Sequence, residues 1–387
     1  MWVFKLILRN AGRHKLRTWL TIVGLAVAVI AFIVIRTLVS SFYYSAEILP
    51  PDRLVTSNAV SFTMDLPMSY KTKIESVPGV NSVAYGTWFG GLYNNDRNNF
   101  FANFAVGPDS TYLNAYPEFI IPPDQKEAYL KEKNSALAGQ QLVNRFGWKI
   151  GDVIRLTGQI YPGDWEFVLR AIYKGDKPGV DETAMMFRYD YFDDHLRETT
   201  PGMAGGVGWY IVKINDPSRS AAIAADIDAL FKNSTAETLT QTEKLFTLNF
   251  LEQMSIIIRG MRILSYLIIG IILLVLANTM AMSARERLSE YAMLKTLGFR
   301  PFHLMGLVLG ESLFIAALGG IVGLVLTIPI NSLVARALMG YFNMIGADIL
   351  TISLAIIFVL AVGIIAAIFP VYRAVKISIV DGLRNVG

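Results

Sequence analysis

The chain has 387 residues, 53% of them hydrophobic and 17% charged, with a formal net charge of +4 and no cysteine. This balance is too apolar for an ordinary soluble domain and too polar for an uninterrupted membrane bundle, so several spans plus a sizeable aqueous domain are implied. The lack of cysteine excludes a disulfide framework, a thiolate metal site and a thiol nucleophile. The modest positive charge fits basic flanks of membrane spans better than nucleic-acid binding.

Residues 1–17 set Trp2, Phe4, Leu6, Ile7 and Leu8 among Lys5, Arg9, Arg13, Lys15 and Arg17, an amphipathic helix at the cytoplasmic face. A first span at 18–41 follows, retained because its apolar run is too long for a signal peptide and has no small-residue cleavage site. Arg36, near its far end, can carry its guanidinium to the outer interface. Residues 42–242 have the composition of an aqueous domain. Val60–Asp65 reads as a strand, Tyr70, Ile74 and Val77 as one helical face, and 80–89 as a second strand. The order returns late in the domain. A strand at Trp209–Ile214 precedes a helix start at Asp216-Pro217, an apolar stripe of Ile223, Ile227, Leu230 and Phe231, and a strand at Thr238–Thr242. Between these two strand–helix–strand units, about 98–201 reads as a β-rich inserted lobe with short helices.

A stalk helix is expected at 243–262, with an apolar seam of Phe250, Leu251, Met254, Ile257, Ile258 and Met261 running into a second span at 263–283. The seam needs a partner, either an extension of the first span or the same helix in a second subunit. At Arg285-Glu286-Arg287 the pattern turns charged and amphipathic, and 284–300 reads as a short cytoplasmic helix that either anchors a loop or docks a partner. Gly298 is its left-handed cap and Pro301 lies just beyond. A third span at 303–329, an outer loop at 330–348, a fourth span at 349–371 and a tail at 372–387 complete the chain. Basic residues cluster at 1–17, 285–300 and 373–384, which places both termini in the cytoplasm and the large domain outside. The expected fold is a membrane protein with four transmembrane α-helices, a helical stalk and a large α+β extracytoplasmic domain.

His14, His195 and His303 are scattered, and there is no zinc helix, nucleophile elbow or phosphate loop. The cluster Gly202, Gly205, Gly206 and Gly208 lacks the following Lys and Ser/Thr and reads as a flexible loop before a strand. No catalytic, metal or cofactor residue is expected in this chain, so any energy input must come from a partner. Within the third span, Gly306 and Gly310, and Gly319 and Gly323, allow close helix approach, inside the molecule or across a dimer. Glu311 lies between the pairs, as a functional carboxylate or a structural one bonded to a neighbouring helix.

Asn278-Thr279-Met280, then Arg285 to Glu290 and Leu297-Gly298, resemble the motif of MacB-like and FtsX-like ABC transporter permeases. Glu311-Ser312 with Gly319-Gly320, and Pro370 followed by Arg373-Ala374 and Val380 to Arg384, are similar to the later signatures of that family. Val77 to Val80 resembles the start of its extracytoplasmic domain, whose porter-like units carry an inserted lobe. Thr296 stands where the family usually has Ala, and Ile379 where it usually has Pro. The resemblance implies a type VII, mechanotransmission permease in the cell inner membrane, with Arg285, Glu286, Arg287, Glu290, Lys295 and Gly298 coupling it to an ABC ATPase. It lacks the ATPase domain fused in MacB itself, which implies that ATP and Mg bind in a separate chain. It further implies a second permease copy or paralogue, a periplasmic adaptor with an outer-membrane channel, and efflux. Lipoprotein release, and regulation of a cell-wall hydrolase, are the rival functions.

Overall fold

The computed structural model describes residues 15–253, 255–337 and 346–377, which fall into two compact units. Most of the expected N-terminal amphipathic helix with His14, Met254 of the seam, residues 338–345 of the outer loop, and the tail from 378 lie outside the described residues.

Helix α1 (Lys15–Glu47) opens the described chain, and from Ser41 onward its residues count with the α/β unit. That unit begins with β1 (Arg53–Asn58), the short β2 (Leu66–Pro67), α2 (Tyr70–Glu75) and β3 (Val80–Trp88). The inserted segment supplies β4 (Gly91–Tyr93), β5 (Asn103–Val106), α3 (Thr111–Ala115), β6 (Phe119–Ile120), α4 (Pro123–Lys131), β7 (Ser135–Gly139) and α5 (Gln140–Phe146). It continues with β8 (Val153–Gly158), β9 (Asp164–Gly175), β10 (Met185–Arg188) and α6 (Tyr189–Thr199). β11 (Gly206–Val207), β12 (Trp209–Ile214), α7 (Ser220–Leu230), β13 (Thr238–Thr242) and α8 (Glu243–Gln253) close the unit.

The strands lie in the order β13-β1-β12-β3-β5-β10-β7-β9-β8-β4. The first four interleave the two strand–helix–strand units, a split βαβ arrangement. Side chains alternate between the two faces of the sheet, and both faces are covered. Leu54, Val83, Ala105, Phe187 and Val212 pack beneath α2, α5, α6 and α7, whereas Val55, Ala84, Val106, Met186 and Ile211 pack with α3 and α4.

The inserted strands extend this sheet instead of building a separate one. They also curl, because only two residues separate β3 from β4 although the two lie at distant places in the strand order. The buried Asn103 of β5 closes the gap to β4. Its Oδ1 accepts from Gly91 N–H at 2.8 Å, and its Nδ2 donates to Gly91 O at 3.0 Å and Phe101 O at 2.8 Å. Asn103→Leu leaves these backbone groups buried without their partner and is expected to cost about 2–3 kcal/mol in chemical unfolding.

Three local expectations are corrected. Val60–Asp65 is a loop, with Val60 82% exposed; the strand is β1, which begins at Arg53, two residues after Pro51. The glycine cluster is not a flexible loop, because Gly206 and Val207 pair with Pro67 and Leu66, and a Cβ on Gly206 would meet the Asp65 side chain at 2.9 Å. Leu230 leaves the stripe formed by Ile223, Ile227 and Phe231 and is exposed.

The membrane unit contains the membrane portion of α1 together with α9 (Ser255–Glu286), α10 (Leu288–Thr296), α11 (Pro301–Ala337) and α12 (Ile349–Lys376). All but α10 are long and apolar enough to cross a membrane. α11 runs through Pro329 to Ala337, so the first residues of the expected outer loop are helical. Gly319 and Gly323 pack inside the molecule, against Leu25 and Val29 of α1. Gly320 meets Val359 of α12, and Ser312 Oγ donates to Gly363 O at 2.7 Å. Gly306 faces open space. Arg36 Nε donates to Thr351 Oγ1 at 3.2 Å, which ties α1 to the start of α12.

Candidate functional site

The junction between α9 and α11 is built by two local breaks. α9 ends at Glu286, Arg287 leaves helical geometry, and α10 runs for nine residues to Thr296. Gly298 then adopts φ +88°, and the Phe299 N–H donates back to Leu294 O at 3.1 Å, closing the helix with a left-handed cap. Pro301 opens α11, where the absence of an N–H costs nothing.

The charged residues of the junction turn inward and tie the spans together. Arg17 of α1 forms a two-pronged ion pair with Glu286, each N–O distance being 3.0 Å. Arg287 Nη1 meets Glu311 Oε2 of α11 at 2.8 Å, and Ser283 Oγ lies 3.4 Å from the other carboxylate oxygen. Both members of this pair are buried, at 3% and 7% side-chain exposure. Glu311 is thus an interhelical partner of Arg287. Lys295 Nζ donates to Val375 O at 2.8 Å and Ile377 O at 2.7 Å, holding the last turn of α12 and the residue after it. Tyr291 and Ala292 form the inner face of α10, and burial pushes the Tyr291 phenol up to about 12, against the pull of Arg287. Lys295→Met is expected to speed amide exchange across residues 373–377 about tenfold, since a charge-assisted bond to the carbonyls is lost.

Arg285 is exposed and Glu290 partly buried. The outward face also carries Met293 (55% exposed), Leu297 (70%) and Phe302 (75%). Sequence reading assigned coupling to the charges and passed over Met293 and Phe302. The available signal was that α10 is apolar on two sides, one more than burial within the chain requires.

The expected seam divides. Leu251 and Ile258 are buried, whereas Phe250 and Ile257 are exposed, and the Phe250 ring meets Phe62 at 6.3 Å. Phe250 and Leu251 are adjacent in α8, as Ile257 and Ile258 are in α9, and adjacent helical positions are about 100° apart, so within each helix the buried and the exposed member lie on different faces. The outward face of α9 continues through Leu264, Leu267, Ile271 and Leu274 to Asn278, all exposed.

Among the described residues no group of His, Cys, Asp and Glu is placed to hold a metal ion. Residues 18–230 match the MacB-like periplasmic core domain, and residues 262–379 match the FtsX-like permease C-terminal domain. A relative from Methanocaldococcus jannaschii, described as an uncharacterized ABC transporter permease, is 26% identical over 408 residues, covering 97% of this chain and 96% of its own. The periplasmic region of MacB from Actinobacillus actinomycetemcomitans is similar with a TM-score of 0.37 at 10% identity, over 51% of this chain and 92% of that one. The extracellular domain of the noncanonic ABC-type transporter YknZ from Gram-positive bacteria is similar with a TM-score of 0.36 at 10% identity, over 49% of this chain and all of that one.

Proposed function

The chain belongs to the MacB/FtsX family of ABC transporter permeases, and we propose that α10 is the surface on which a separate ABC ATPase acts. The observation that carries this reading is the division of α10 into two faces. Glu286 and Arg287 before it and Lys295 within it grip α1, α11 and α12, while Met293 projects outward beside Leu297 and Phe302, which follow the helix. A displacement of the outward face is then transferred to several spans at once. Arg285 and Glu290 border that face, and the Gly298 cap fixes its exit. The push passes along α9 and changes the shape of the α/β unit, with substrate handled on the outer side of the membrane and both termini cytoplasmic.

A second copy of the permease, or a paralogue, pairs along α9. Leu264, Leu267, Ile271, Leu274 and Asn278 recur at alternating three- and four-residue spacing, with Ile257 one heptad before Leu264, the pattern of a coiled seam. Efflux with a periplasmic adaptor and an outer-membrane channel is the function this reading favours, because the large extracytoplasmic unit is of the MacB type.

The test is co-purification of the full-length permease with its ATPase, followed by ATP turnover of the complex. Met293→Glu with Leu297→Glu is expected to weaken binding at least about 30-fold, as loss of a central apolar anchor does. Unchanged binding and turnover would place the ATPase contact elsewhere.

A further inference from the structure

One guanidinium in the α/β unit joins three separate parts of the chain, its own strand and two others. Arg53, the first residue of β1, is fully buried. Its Nε donates to Glu243, the first residue of α8. Its Nη1 donates to Ala115 O at 2.7 Å and its Nη2 to Glu118 Oε1 at 2.8 Å, both from the inserted segment. The Tyr116 ring lies beneath the guanidinium, 4.0 Å from Cζ to centroid, and the Tyr116 hydroxyl donates to Glu243 Oε1 at 3.1 Å.

The position of these groups in the chain gives them a consequence. Arg53 follows α1 by a five-residue link that contains Pro50-Pro51, whose fixed φ angles make it stiff. Glu243 begins α8, the last element of the α/β unit before α9 in the chain. The two segments through which the chain enters and leaves the α/β unit therefore end on the same ion pair. The inserted segment is held at a second point as well. Gly179 sits so close to α1 that a Cβ there would lie 2.7 Å from Tyr44 and 3.0 Å from Ile48.

We propose that Arg53 is a positioning residue that locks the entry segment, the exit helix α8 and the inserted segment into one body, so that a displacement of either connection moves the inserted segment. A guanidinium suits this task. Its donors lie in one plane in fixed directions, so sliding any of the three segments breaks a bond that the other two cannot replace. A buried ion cluster adds little net stability over an apolar replacement but does specify one arrangement. The role is therefore separable from folding.

Because the chain has no native cysteine, spin labels can be placed without background. Label pairs at Tyr43→Cys with Lys244→Cys, and at Lys244→Cys with Glu127→Cys, report on entry against exit and exit against insertion in the full-length protein. A pair at Glu127→Cys with Arg155→Cys lies within the insertion and serves as the control. The parent protein is expected to give one narrow distance for each pair. In the charge-free variant Arg53→Met/Glu118→Gln/Glu243→Leu the first two distributions broaden, the control stays narrow, and the unfolding midpoint remains near that of the parent. Arg53→Lys keeps the charge without the fork and broadens the same two pairs. Narrow, parental distributions in either folded variant would overturn the proposal. If neither variant folds, Glu118→Ala alone decides the matter: it removes the acceptor for Arg53 Nη2, broadens the Lys244–Glu127 pair and leaves Tyr43–Lys244 narrow, or the proposal fails. None of these distances depends on an ATPase, so a wrong assignment of the α10 surface leaves this test intact.

Discussion

Replacing Glu311 by Leu is expected to remove about 3–5 kcal/mol of stability, the usual consequence of stranding one charge of a buried ion pair. Arg287 has 3% of its side chain exposed and lies at the point where α9 gives way to α10. Without the carboxylate its guanidinium must stay buried with no counter-charge from Glu311 or pull out of the junction. Arg287→Met combined with Glu311→Leu removes both charges and is expected to recover most of the loss. Thermal unfolding of the three variants in micelles gives the comparison. A carboxylate that served transport alone would behave differently: the single variant would unfold like the parent while losing activity, and the second substitution would rescue nothing. The pair also makes a prediction about coupling. If the junction transmits movement through Arg287, the restored double variant stays poorly responsive to the ATPase although it is stable, because apolar contact lacks the direction of the 2.8 Å bond.

The sequence carried the periodic features well. Four long apolar runs needed nothing beyond length to be read as spans, and β3 and β12 were legible as strands because Pro78-Gly79 and Asp216-Pro217 bound them. The Gly298 cap was legible too, since Gly followed by Phe-Arg-Pro fits one local geometry. Partnership across the fold left no comparable trace. Arg287 and Glu311 are 24 residues apart and Arg53 and Glu243 are 190 apart, so no spacing rule connects them. Sequence alone therefore leaves Glu311 divided between a functional and a structural reading, and the contact with Arg287 supplies the structural partner. The error at Val60–Asp65 has a similar origin. Its apolar residues alternate as a strand's do, but β1 takes the central place because Leu54 and Val55 fill opposite faces of the sheet, leaving Val60 outside. The curl of the inserted strands was equally hidden, because it depends on the side chain of Asn103 reaching the backbone of Gly91.

Substituting Leu at Gly319 and Gly323 is expected to be the most disruptive apolar change in the membrane unit. A Cβ at Gly319 would lie 2.8 Å from Leu25 Cβ and 3.1 Å from Ile22 O, and one at Gly323 would lie 2.8 Å from Val29 Cβ and 3.0 Å from Ala26 O. Carbonyl oxygens and Cβ atoms cannot rotate aside, so α1 itself must move away. Overpacking of this kind costs about 1–3 kcal/mol per site, and the two sites press on the same helix one turn apart. Gly306→Leu is the matched control. It faces open space on the same helix, and a change of within about 0.5 kcal/mol is expected. Unfolding midpoints separate the two cases. The displacement also reaches the junction, because α1 holds Glu286 through Arg17. Moving α1 off α11 strains that ion pair and with it the start of α10. Gly323→Leu is therefore expected to lower ATPase coupling even in material that remains folded, whereas Met293→Glu lowers it by losing the outward contact. Binding tells the two apart: the ATPase associates with the Gly323 variant as with the parent and binds the Met293 variant more weakly.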